Sequence, residues 1–158
     1  MKHTLMLLLL VVSSLVHAQG AEYPLGPSAR LTPGELCDRP SRYRYPENIA
    51  YCEREVSTLE KDVVFASYRQ LGFRLSYTNR SSYKIDHYIP LCAGGSNNKE
   101  NLWPQHISIA NVTDSIEKLG CDKMALGKLS QARMVYLIKL VKNNLNQAQA
   151  VRNEMSRL

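Results

Sequence analysis

Four cysteines, Cys37, Cys52, Cys92 and Cys121, limit the folding of this 158-residue chain more than any other feature. They follow a leader, MKHTLMLLLLVVSSLVHAQG. In it Lys2 gives a basic start, Leu5 to Val16 is apolar apart from Ser13 and Ser14, and Val16-His17-Ala18 has the small-x-small form of a cleavage site. That pattern reads as a secretory signal peptide over residues 1–18, too short to serve well as a membrane span. An even cysteine count behind a signal peptide points to a secreted or periplasmic, oxidising location and to two disulfides. The absence of a CxxC pair argues against a structural zinc site. Three pairings are possible. Cys37–Cys52 with Cys92–Cys121 is preferred because each bond then staples a local unit, contributing roughly 2–4 kcal/mol.

Cleavage after Ala18 leaves residues 19–158, which is 140 residues and suits one domain with one core. The sequence shows no internal repeat and no second apolar run long enough to cross a bilayer. Losing Lys2 leaves 19 basic against 14 acidic residues, a net charge of about +5. A modest positive charge serves solubility in many proteins, and it also attracts polyanions such as nucleic acid.

Hydrophobic periodicity and capping signals give an α+β order. Residues 19–35, rich in Gly, Pro and small side chains, read as an extended arm, and 37–52 as a loop closed by a disulfide. Within that loop Arg42-Tyr43-Arg44-Tyr45 suits stacking on nucleic acid, or an ordinary surface with buried tyrosine rings. Ser57-Thr-Leu-Glu60 is a capping box opening a helix to about Leu71, with Gly72 as its stop and Leu59, Val63 and Ala66 on its apolar face. Short strands are expected at Phe73–Tyr77 and Tyr83–Ile89, and a further extended piece at Leu102-Trp103 that Pro104 ends. Trp103 and Pro104 are expected to pack against the last helices. Asp114-Ser-Ile-Glu117 reads as a second cap, for a helix over about 113–125, or for one whose preceding turn is already helical. Ser130 caps a third helix with a core stripe of Met134, Leu137, Ile138 and Val141. Residues 144–156 add a polar terminal helix.

The chemistry concentrates in residues 85–106, IDHYIPLCAGGSNNKENLWPQH. Once the signal is removed, His87 and His106 are the only histidines, so a titration near neutral pH is expected from one of them. His87 suits general-base work, and Asp86 offers oxygen ligands to a hard divalent cation. Neighbouring strand residues point to opposite faces, so Asp86 and His87 share a site only where the backbone departs from a regular strand. Asn101, His106 and Asn111 follow closely. An isolated Asp-His pair is more often a surface carboxylate beside a packed imidazole.

The longer string weighs against that bland reading. Asp86-His87-x-x-Pro90, Gly94-Gly95 and Asn101-Leu102 resemble the HNH endonuclease motif, the ββα-metal or His-Me finger. DHYIPLCAGGSNNKENLWPQ is similar to a secreted bacterial subgroup with the pattern DHxIPLxxGGSNxxxNLWPQ. The resemblance covers residues 83–121 and implies a small ββα-metal core embedded in helices within a single domain over 19–158. It implies that His87 activates water, that Asp86 is the first metal ligand, and that Asn101 holds the loop and orients the histidine. The last motif position stands about nine residues beyond Asn101. Ala110 is at nine and Asn111 at ten, so Asn111 is chosen as the second ligand with His106 as its rival. The implied cofactor is one Mg²⁺ or Mn²⁺. The implied reaction is hydrolysis of nucleic acid, DNA foremost, with little sequence preference, leaving 5′-phosphate and 3′-hydroxyl ends. A Cys92–Cys121 bond would fix the motif loop to the following helix, so reduction is expected to weaken activity. The alternatives are a catalytically inactive nucleic-acid-binding protein on the same fold and a disulfide-stapled envelope protein.

Overall fold

The computed structural model describes residues 22–76 and 78–158. The expected signal peptide and Tyr77 lie outside them. The chain is α+β: a hairpin of β1 (Arg42–Arg44) and β2 (Ile49–Tyr51), helix α1 (Thr58–Gln70), an antiparallel pair β3 (Tyr83–His87) and β4 (Leu102–His106), then helices α2 (Ile107–Ala125), α3 (Gln131–Asn143) and α4 (Ala148–Ser156). Both preferred disulfides are present. Cys37–Cys52 closes the first hairpin and Cys92–Cys121 ties the β3–β4 connection to α2. Among the described residues no helix is long and apolar enough to cross a membrane.

The capping box forms as the sequence predicts. The Ser57 hydroxyl accepts from the Glu60 N–H, and the Glu60 carboxylate accepts from the Ser57 N–H at 2.7 Å. Gly72, with φ +96°, ends the helix in a conformation that L side chains rarely adopt. The expected inner face of α1 is corrected. Leu59 is 74% and Val63 46% exposed, while Val64, Phe65 and Tyr68 are buried. The helix turns toward the bulkier aromatic stripe because only that face meets β3 and β4, where Phe65 stands edge-on to Tyr83.

Three further expectations change. Phe73–Ser76 forms no strand. Pro104 does not end β4 but sits inside it opposite Ile85, as proline can in a two-stranded sheet where every strand has a free edge. Helix α2 begins at Ile107, capped by His106 accepting from the Ser108 N–H, so Asp114 and Glu117 stand mid-helix and cap nothing. The α3 stripe holds as expected, with Met134, Leu137, Ile138 and Val141 all buried. The terminal helix buries Val151 and Met155 on one side.

Among the described residues the buried apolar side chains group into two clusters. The first joins α2, α3 and α4 to Ile49, Ile89 and Ala93. The second joins α1 to β3, β4, Tyr88 and Ile109. Trp103 belongs to this second cluster, beside Phe65 and Tyr68 and away from the last two helices. Helix α2 contributes to both clusters through Ile116 and Ile109, which fixes its height against the end of β3.

Candidate active site at the end of strand β3

Strand β3 ends at His87, opposite Leu102, with Asp86 opposite Trp103, and one further bond joins the Tyr88 N–H to the Asn101 carbonyl at 2.7 Å. At this strand end both side chains border one cleft of about 380 Å³, with Lys84, Asp114 and Glu117 along its sides and Arg54 at its rim. The Cys92–Cys121 bridge forms part of the wall.

The loop from Ile89 to Ser96 is shaped by Asn101, which is fully buried. Its Oδ1 accepts from the Ile89 N–H at 2.8 Å, and its Nδ2 donates to the carbonyls of Ile89 and Ser96 at 2.9 Å each. Gly94 takes φ +81°. Gly95 is needed for close approach, since a Cβ there would drive into the Ile89 carbonyl and the Asn101 amide. Asn101 thus ties the Ile89 and Ser96 ends of the loop together. The hydrogen bond to the His87 ring comes from Asn97, a residue the sequence reading passed over.

That bond decides the tautomer. His87 Nδ1 faces the Arg54 Nη1 at 3.4 Å, and a guanidinium can only donate. Nδ1 thus carries the lone pair, and Nε2–H donates to Asn97 Oδ1 at 3.0 Å. Asn97 is held in turn by its Nδ2 donating to the Glu53 carbonyl at 2.6 Å. Burial, with the positive charge of Arg54 added, pulls the His87 pKa down to about 4, so the ring is neutral at neutral pH. The expected titration near neutrality does not belong to His87.

Asp86 is 7% exposed, and its charge is met from inside the protein. Lys142, on α3 and fully buried, donates from Nζ to Asp86 Oδ2 at 2.8 Å and to the His87 carbonyl. The same Nζ lies 2.7 Å from Glu117 Oε1, a charge contact and not an aligned hydrogen bond. Lys84 adds a second cation 3.4 Å from Asp86 Oδ1 and binds Asp114 at 2.6 Å. Burial alone would push Asp86 up, but Lys142 and Lys84 outweigh it and hold the carboxyl below its usual range. Glu117 goes the other way, because burial outweighs the attraction of Lys142. Burial would likewise lower Lys142, and its two carboxylate neighbours overcome that and raise it.

Asn111 and His106 do not border this cleft. Asn111 is exposed on α2. His106 is paired with Tyr83, three rungs and about 10 Å along the ladder from Asp86. Its ring stacks on Tyr23 with centroids 4.0 Å apart, and Nδ1 is engaged by Ser108 at 2.8 Å. The donors on the cleft, Asp86, Asp114 and Glu117, are hard oxygens of the kind that Mg²⁺ takes. Among the described residues, however, no three His, Cys, Asp or Glu side chains stand together as a metal-holding group. The expected ligand set is not assembled in this structure. In the Arg-Tyr run of β1 the guanidinium groups of Arg42 and Arg44 lie over the Tyr51 ring at 4.9 and 4.5 Å, while Tyr43 is exposed.

Comparison with protein-family models, curated proteins and solved structures finds no match to this chain.

The buried neutral imidazole gives a signed pH prediction. The unfolded chain takes up a proton at His87 below about pH 6.5, and the folded chain refuses it until about pH 4. Stability should therefore fall as pH drops through that window, by up to about 3 kcal/mol from this residue, and then level. Urea unfolding of wild type and His87→Gln at pH 7, 5.5 and 4.5 isolates the contribution. Equal pH slopes in the two proteins would contradict it.

Proposed function

We propose that the protein is an HNH-type endonuclease that hydrolyses phosphodiester bonds of nucleic acid, DNA foremost. The observation that carries this reading is the His87 ring, neutral and fixed in one tautomer with its lone pair on Nδ1, on a cleft lined by ion pairs. Two antiparallel strands followed by a helix, β3–β4–α2, support it, because this is the element order that the motif resemblance implies. His87 takes a proton from the attacking water through Nδ1, while Asn97 on Nε2–H holds the ring and favours the imidazolium that forms. Lys84, bordering the cleft, attracts the phosphate. In this reading Asp86 would hold one divalent ion, Mg²⁺ or Mn²⁺, which would supply charge stabilisation for phosphodiester hydrolysis.

The test is plasmid cleavage by the oxidised protein with Mg²⁺, with Mn²⁺ and with EDTA. Nicking that requires the ion is expected. Since Asn111 and His106 lie off the cleft, Asn111→Ala and His106→Ala should each keep cleavage within about threefold of wild type, roughly the effect of losing under 1 kcal/mol. Absence of cleavage of plasmid and RNA alike by folded protein would sink the nuclease reading.

One observation favours a second reading. Lys142 already neutralises Asp86, as suits a nucleic-acid-binding or envelope protein that keeps the fold without catalysis. That protein would bind nucleic acid with no metal-dependent product.

A further inference from the structure

Arg54 is the arginine that borders the cleft. Among the described residues it makes no ion pair. Its two contacts are Nη2 donating to the Ile85 carbonyl at 3.1 Å and Nη1 facing His87 Nδ1 at the long distance of 3.4 Å. A guanidinium has five N–H donors in a fixed fork, so three remain, and a neutral imidazole is a poor partner for the fourth. The group is held by the strand on one side and left without an anion on the other.

Its position matters as much as its spare donors. Arg54 borders two grooves, the 380 Å³ cleft with Asp86 and His87 and a larger one of about 700 Å³ with Arg39, Ser57 and Asn97. The larger groove also carries Asp38, Glu55 and Glu60. The attraction for an anion is therefore local to Arg54 and is not spread along that groove.

We propose that Arg54 is the anion-binding residue of this site, seating a nonbridging oxygen of a phosphodiester beside His87. The proposal rests on the nuclease reading for its substrate, but the anion site itself does not require cleavage. It also gives Arg54 a second effect. While the site is empty the guanidinium lies over the lone pair of Nδ1. An anionic oxygen is the stronger acceptor, draws the Nη1 donor to itself and uncovers Nδ1 for water. Substrate binding and exposure of the base become one event.

The experiment uses dimethyl phosphate, a diester monoanion, and trimethyl phosphate, its neutral counterpart, titrated into the full oxidised protein without metal and followed by NMR of the Arg54 Nε–H and the His87 ring nitrogens. Dimethyl phosphate should shift both sets of signals saturably, and trimethyl phosphate should not. Arg54→Gln should abolish the His87 response, and Arg54→Lys should restore part of it. A role limited to fastening residues 53–57 onto β3 predicts equal responses to the two esters, and that result overturns the proposal. So does an undiminished His87 response in Arg54→Gln. If Arg54→Gln fails to fold, the contrast between the esters on wild type still decides. In plasmid cleavage Arg54→Gln should be about 10- to 100-fold slower, the scale of one charge-assisted hydrogen bond. Equal cleavage by wild type and Arg54→Gln overturns the anion site and leaves the nuclease standing. Ester shifts without any cleavage support the anion site and remove the nuclease.

Discussion

Lys142→Met is expected to destabilise the protein by about 3–5 kcal/mol, the scale of breaking a buried ion cluster by removing one partner. The side chain fits Met in length, so little packing is lost. What goes is the fully buried charge that faces the carboxylates of Asp86 and Glu117. Without it Asp86 keeps Lys84, at 3.4 Å, and Glu117 loses the cation that opposes the upward push of burial on its pKa. Urea unfolding at pH 7 measures the loss. Removing all three charges in Lys142→Met/Asp86→Leu/Glu117→Leu should recover most of the stability, because apolar residues replace ion clusters at little net cost. A single variant as stable as wild type would show that Lys142 is not the counter-ion described above. A triple variant as unstable as the single would show that the charges are not what the single variant lost.

His87→Ala is expected to lower the rate of metal-dependent plasmid nicking by about 10²- to 10⁴-fold, the range for loss of a positioned general base. Asn97→Ala should produce a smaller loss, because the base remains and only the restraint on Nε2 is gone. The two effects should not add. Once His87 is absent, Asn97 has no ring to hold, so the double variant should match His87→Ala. Nicking that persists at the wild-type rate in His87→Ala would place the chemistry elsewhere. Single-turnover rates separate these outcomes from changes in DNA binding.

Much of the frame was legible because its signals are local. The Ser57–Glu60 box, Gly72, the Ser130 cap and the α3 stripe all act within a few residues of chain. Favouring local staples also found both disulfides. The misses are cases where tertiary partners outvote a local pattern. Asp114-x-x-Glu117 has the form of a cap, yet those carboxylates serve Lys84 and Lys142 from mid-helix. Leu59 and Val63 have helical spacing, yet the sheet takes the Phe65 face. Lys142 left a trace that could have been read. It stands four residues after Ile138 and eight after Met134, on the buried side of α3, where a charge needs partners. Arg54 and Asn97 left no comparable trace, since their contacts with His87 cross 33 and 10 residues of sequence.

Pro104 has a consequence beyond its place in β4. A two-stranded sheet has no interior strand, so each of its strands offers an outer edge that another polypeptide could extend. At Pro104 β4 has no N–H to donate to a newcomer, and Leu102 through Gln105 are buried, with α1 packed alongside. The strand that follows Asn101 is therefore a poor template for aggregation. The residue that looked like a strand breaker instead guards the sheet against unwanted extension by its neighbours in solution.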